Sequence, residues 1–119
     1  MLNLDTHILL FAFTGELTTR EGRLLSSSQW SISAIVLWEL AKLTQLGRID
    51  VDLDSNEFGR YLAPIPVWPL TLEICAHIRK LDFRSDPADE LICSTSLVHE
   101  LPLVTRDRRI RRSKVVPFA

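Results

Sequence analysis

No apolar run in this chain approaches the ~20 residues that a membrane-spanning helix needs. The longest, Ile8–Phe13, is far shorter. The N-terminus has no basic segment ahead of its apolar run and no small-residue cleavage site after it, so a cytoplasmic location is expected. Cysteine is scarce: Cys75 and Cys93 form no CxxC pair and no Cys/His spacing of the zinc-binding kind. Both fall in apolar, helix-like stretches and are expected as buried free thiols in a reducing compartment. An excess of one charge is also missing, with 14 Lys and Arg against 15 Asp and Glu. That balance excludes no partner, because a local basic patch matters more to nucleic acid than the total. There is no DxDxT/V-like pair for aspartyl-phosphate chemistry. His7, His77 and His99 have no acid partner at motif spacing and read as structural or surface residues. With no repeat, low-complexity segment or linker, the 119 residues make one domain, 1–119.

What is present alternates helices with short apolar strands. Met1–Leu4 reads as a buried strand ending at Asp5. Thr6 reads as the cap of a helix from about His7 to Phe13, which Gly15 ends. Thr18–Ser27 is a polar helix and Gln29–Ser31 a short strand. Ser33 caps the strongest helix, Ala34–Leu46, closed by Gly47. Asp54–Leu62 is a further helix, and Pro64, Pro66 and Pro69 confine Ile65–Trp68 to an extended edge or loop. Thr71 begins a helix to about Leu81. Asp86 as N-cap and Pro87 at the first position open another helix, whose apolar face carries Ala88, Leu91, Ile92, Leu97 and Val98. Leu101-Pro102 breaks it, Leu103–Thr105 is a buried strand, and the basic tail Ile110–Ala119 holds a final candidate strand at Val115-Val116. The alternation predicts an α/β fold, a mostly parallel central sheet flanked by helices on both faces.

Four acids stand out. Asp5 lies between the apolar segments MLNL and HILLFAF; its ordinary alternative is a turn residue capping the first helix. Glu39 interrupts AIVLWELAKL, beside Ile35, Val36 and Leu43 at helical spacing. A lone buried carboxylate there must protonate or recruit a cation; the alternative is an exposed pair with Lys42 or Arg48. Asp89 gains from the helix dipole in the first turn, yet leans toward the apolar face through Ile92 and Cys93. Asp107 follows a strand and opens an Arg-rich run, where pairing with Arg106 or Arg108 is the alternative. Taken together, three acids sit where a strand ends or a helix begins, and the fourth interrupts an apolar helix. Parallel strands share one carboxyl edge, so these groups can converge there. Clustered carboxylates repel, and a hard divalent cation relieves them. Oxygen-plus-water ligation is the chemistry of Mg²⁺ or Mn²⁺.

The segments LDTHILLFAF, SISAIVLWELAKLTQLGRI, PLT and DPADELICSTSLVHELPLVTRDRRI, in that order, resemble PIN-domain toxins of the VapC type over nearly the whole chain. The motif acids match one by one: Asp5 in LDT, Glu39 in LWELA, Asp89 in DPADELI and Asp107 in TRD. Thr6 and Thr105 match polar positions beside them, and Asp86 takes a supporting place. The resemblance implies a PIN-like three-layer sandwich and a ribonuclease toxin. It also implies a homodimer and a cognate VapB-like antitoxin whose C-terminal segment lies across the active-site groove. One departure is Glu90, where the family usually has a basic residue; it touches specificity rather than the acids.

On this reading Asp5, Glu39, Asp89 and Asp107 hold one or two Mg²⁺ or Mn²⁺ ions, partly through water, and hydrolyse RNA. Arg106, Arg108, Arg109, Arg111, Arg112 and Lys114 crowd around Asp107 as a patch for the RNA backbone. Leu37, Trp38, Phe58, Tyr61 and Trp68 exceed an obvious core and are candidates for a dimer or antitoxin interface. The rival readings are a non-catalytic PIN-like interaction module and a metal-dependent nuclease of RNA processing.

Overall fold

In the computed structural model, which describes residues 1–119, strand β1 (Leu2–Leu4) takes an inner place in a four-stranded sheet. On one side it pairs with β2 (Trp30–Ser33), through Leu2 with Trp30 and Asn3 with Ser31. On the other it pairs with β4 (Leu103–Val104), through Asn3 with Leu103 and Leu4 with Val104. Strand β3 (Val67–Trp68) lies outside β2, so the order is β3-β2-β1-β4 and every pairing is parallel. The proline-flanked segment is thus an edge strand, where a missing N–H costs least.

Helices α1 (Thr6–Thr14), α2 (Thr19–Ser26), α3 (Ala34–Gln45), α4 (Asn56–Leu62), α5 (Leu72–His77), α6 (Pro87–His99) and α7 (Arg108–Arg111) connect and cover the strands. Parallel strands require such crossovers, and the result is the expected α/β architecture. The helix predicted from Thr71 to Leu81 ends at His77 and tightens into a 3₁₀ turn, Ile78–Lys80. The four-residue α7 went unpredicted because its sequence, RRIR, has one apolar residue, the fully buried Ile110. Val115-Val116 forms no strand; the tail meets the sheet only where Phe118 bridges to Leu103.

Local chemistry sets the helix starts. Thr18 and Glu21 form a reciprocal capping box at α2. Ser33, Ser55 and Thr71 each cap the helix that follows. The cap of α1 is Asp5, not Thr6: its Oδ1 accepts from the Thr6 backbone N–H at 2.8 Å. Gly15 closes α1 in the left-handed conformation at φ 79°, as expected of a glycine there.

The core gathers Leu4, Leu9, Ile32, Val36, Ile92, Leu103 and Ile110 from both sides of the sheet. Each fully buried aliphatic side chain contributes roughly 1.5–3 kcal/mol. Phe58 and Tyr61 belong to this interior rather than to an interface. Phe58 packs edge-on against Phe13, and the Tyr61 hydroxyl donates to the Leu9 carbonyl at 2.7 Å. Of the two cysteines, only Cys93 is buried; Cys75 is exposed on α5, against expectation.

A polar seam joins the sheet to α6. Asn3 is completely buried, and its Nδ2 donates to the Ile92 carbonyl at 3.1 Å and to Ser96 Oγ at 2.9 Å. Ser94 donates to the Ile74 carbonyl, tying α6 to α5. Small side chains at Ser94, Thr95 and Ser96 permit this close approach. Asp89 lies two turns before Ser96 on the same helix, which carries it toward the carboxyl edge of the sheet.

Candidate functional site

The site is assembled where β1 and β4 end side by side. The Asp5 backbone N–H donates to the Val104 carbonyl at 3.0 Å, continuing the strand pairing one step past the sheet. Thr105 follows Val104 and is buried; its hydroxyl donates to Asp5 Oδ2 at 2.5 Å. The same Thr105 oxygen accepts from the Asp107 backbone N–H at 3.1 Å. Asp107 then caps α7, its Oδ1 accepting from Ile110 N–H at 3.0 Å. From the other flank, the buried Thr6 hydroxyl donates to Glu39 on α3. One continuous chain of hydrogen bonds therefore runs from Glu39 through Thr6, Asp5 and Thr105 to Asp107.

Asp89 enters from α6. Ser85 Oγ donates to its Oδ2 at 2.8 Å, a supporting contact that sequence reasoning missed although Ser85 sits one turn before the acid. Asp86 occupies the N-cap position but makes no capping hydrogen bond, so the expected side-chain cap is absent. Its charge instead raises the pKa of both Glu39 and Asp89.

The electrostatics couple these groups. Burial pushes the Asp5 carboxyl up; hydrogen bonds from Thr105 and Thr6 oppose it, and the nearby Glu39 charge adds to the rise. Glu39 is raised by burial, eased by the Thr6 hydroxyl, and raised again by the Asp89 charge. Asp89 is raised by burial, eased by Ser85, and raised by Asp5 and Asp107. His7 is exposed and lowers Asp5 and Glu39, a favourable charge that sequence reasoning did not assign. No Lys or Arg forms an ion pair with any of the four acids; the ion pair in the structure is Arg106 with Glu21.

That pair changes the reading of Arg106. Its guanidinium meets both Glu21 oxygens at 2.7 Å, donates to the Glu16 carbonyl at 2.9 Å and lies 4.1 Å over the Phe11 ring. Glu21 is correspondingly held down at about 2, chiefly by the Arg106 hydrogen bonds. Arg106 thus clamps the turn between Thr105 and Asp107 onto α2. Arg111 is partly engaged too, donating to the Thr105 carbonyl at 3.3 Å. Arg108, Arg109, Arg112 and Lys114 are exposed around the same turn.

The donor set is oxygen throughout, burial penalises Asp5, Glu39 and Asp89 as anions, and no Lys or Arg pairs with them, so the residues present fit a hard divalent ion. They do not close into a cage by themselves: no three His, Cys, Asp or Glu side chains are grouped tightly enough to ligate one ion directly. Asp5 and Glu39 are turned onto hydroxyls, and Asp107 onto its own helix. A cavity of about 630 Å³ lies elsewhere: Met1, Gln29, Trp30 and Pro66 line it, at the amino ends of the strands.

Residues 3–115 match the PIN domain family. Ribonuclease VapC22 of Mycobacterium tuberculosis is 33% identical over 88 residues, which cover 71% of this chain and 68% of the relative. The crystal structure of VapBC2 from Rickettsia felis, bound to a promoter DNA fragment, superposes with a TM-score of 0.74 at 18% identity, over 100% of this chain and 98% of that one. DNA-bound VapBC from Salmonella typhimurium gives a TM-score of 0.65 at 23% identity, over 100% and 98%. These structural likenesses establish the fold, and the family match spans nearly all of it, residues 3–115. The chain belongs to the PIN-domain family, in its VapC branch.

Proposed function

We propose that the protein is a metal-dependent endoribonuclease and the toxin of a type II toxin–antitoxin pair. The observation that supports this most is the set of mutually repelling carboxylates, Asp5, Glu39 and Asp89, with no Lys or Arg paired to them, at the carboxyl edge of a parallel sheet. With Asp107 they would hold Mg²⁺ or Mn²⁺, which keeps several waters and so tolerates a loose protein shell. The ion, when bound, would acidify water and offset charge on the phosphate oxygens. The chain's own residues do the rest. Thr6 and Thr105 hold Glu39 and Asp5 in place, and Ser85 does the same for Asp89. Arg108, Arg109, Arg112 and Lys114 meet the RNA backbone as a screened, salt-sensitive attraction.

RNA as substrate follows from the likeness to Ribonuclease VapC22, and a VapB-like antitoxin from the VapBC complexes. Leu37 and Trp38 remain 41% and 56% exposed on α3, a surface suited to a homodimer or the antitoxin. The test is RNA cleavage by the purified protein in Mg²⁺, in Mn²⁺ and in EDTA, alongside Asp5→Ala and Asp89→Ala. Cleavage that needs the metal and fails in both variants is expected. Activity that persists in EDTA or in both variants removes the proposal.

A further inference from the structure

Beside the N-terminus of α6 lies a second cavity of about 450 Å³, lined by Ile78, Arg79, Leu81, Phe83, Arg84 and Glu90. It is contiguous with the acids in three ways. Glu90 adjoins Asp89 in the chain. Ser85 spans the two, its Oγ on Asp89 and its N–H reaching Glu90 Oε2 at 3.4 Å. The Arg84 carbonyl accepts from Arg109, beside Asp107, at 3.5 Å. The Glu90 carboxylate is in no ion pair, and its Oε1 has no protein donor.

The lining has a specific chemistry. Phe83 supplies an aromatic surface and Arg79 and Arg84 supply guanidinium groups, the side chains that stack unpaired bases and meet phosphates. Glu90 is an acceptor only. A carboxylate pairs best with two adjacent N–H donors. Guanine alone presents these, at N1 and N2; adenine and cytosine place one amino group beside an acceptor, and uracil flanks one donor with two acceptors. The cavity volume falls within the ordinary range of small-ligand pockets and leaves room for a base with part of its nucleotide.

We propose that this cavity seats a guanine next to the scissile phosphate and that Glu90 reads it. The proposal rests on the ribonuclease reading and adds the base preference.

The test is a titration of the full chain, followed by backbone amide NMR shifts, with GMP, AMP, CMP and UMP; their common phosphate controls for simple anion binding. Wild-type protein and Glu90→Gln are compared, a near-isosteric change that keeps an oxygen for the Ser85 N–H. Cleavage sites in a long RNA are mapped in parallel. GMP should shift Phe83, Ser85 and Glu90 and bind about tenfold or more tightly than the others. Glu90→Gln should remove that preference and the matching enrichment of guanine at cleavage sites. Equal binding of all four nucleotides, or shifts confined to other residues, overturns the assignment. So does a cavity that ignores nucleotides but takes an arginine-bearing peptide, which would make it an antitoxin contact. RNA cleavage without a guanine preference overturns the base site and leaves the ribonuclease reading standing. A guanine-specific shift without RNA cleavage supports the base site and counts against the ribonuclease reading.

Discussion

Thr105 and Asp5 are 100 residues apart in the chain and 2.5 Å apart in the fold, hydroxyl to carboxylate. The bond joins the ends of the two adjacent strands that carry the candidate site. Both residues are buried, so each depends on the other for satisfaction.

Removing the donor should therefore be costly. Thr105→Val keeps the shape and leaves Asp5 Oδ2 without its partner, which should cost about 1–3 kcal/mol in denaturant unfolding. It should also remove most RNA cleavage. Thr105→Ser, which restores the hydroxyl, should recover both. A Thr105→Val protein with wild-type stability would show that the bond carries no weight.

The raised carboxyls make stability depend on pH in a definable direction. Asp5, Glu39 and Asp89 bind protons more tightly folded than unfolded. Their contribution is fully present below their ordinary values, 3.8 for Asp and 4.5 for Glu, and is lost as pH rises through the raised folded values. Glu21 runs the other way: its contribution is present above 4.5 and lost as pH falls through about 2. The metal-free protein should thus melt higher just above the ordinary carboxyl values than at a pH above the raised ones. Asp89→Asn should narrow that gap and raise the melting temperature at the higher pH by roughly a few degrees. A melting temperature that climbs steadily from the lower pH to the higher would contradict the site electrostatics.

The basic residues should separate into two classes. Arg106→Ala leaves the buried Glu21 without its partner and should cost about 1–3 kcal/mol of stability. It should change the salt dependence of RNA binding little. Arg112→Ala should spare stability and reduce the slope of log affinity against log salt by about 0.7, the value for one single-strand phosphate contact. Measuring unfolding and salt titrations on both variants checks the division. Interchanged behaviour would refute it.

Trp38 offers a test of self-association. At 56% exposure on α3 it contributes little to the monomer's core. Trp38→Glu should leave unfolding within about 0.5 kcal/mol of wild type. It should shift sedimentation toward monomer. A wild-type protein that stays monomeric at high concentration would retire the dimer.

Much of this arrangement is legible in the residues themselves. Asp5, Glu39 and Asp89 are each awkward for a simple core or a simple surface, Asp107 alone reads as an ordinary turn acid, and parallel strands leave one edge on which the four can meet. What stays hidden depends on neighbours remote in sequence. Arg106 reads as one more cation in a basic run until Glu21, on a helix 85 positions earlier, is brought beneath it. Asp5 displaces Thr6 as cap because a strand running straight into a helix leaves the extended residue, not the one after it, to accept the first free N–H. Phe58 and Tyr61 look surplus only until Phe13 packs against both. The four-residue α7 is too short to carry a period, and its one buried side chain gives no pattern to read.

If these distant acids act together on bound divalent metal, whether one ion or two, Mn²⁺ affinity depends on all of them. Titration followed by electron paramagnetic resonance would compare the wild-type chain with Asp5→Asn, Glu39→Gln, Asp89→Asn and Asp107→Asn. The wild type should show saturable binding, weakened about tenfold or more by each change. Mn²⁺ binding that is absent from the wild type, or indifferent to all four substitutions, would contradict that joint action.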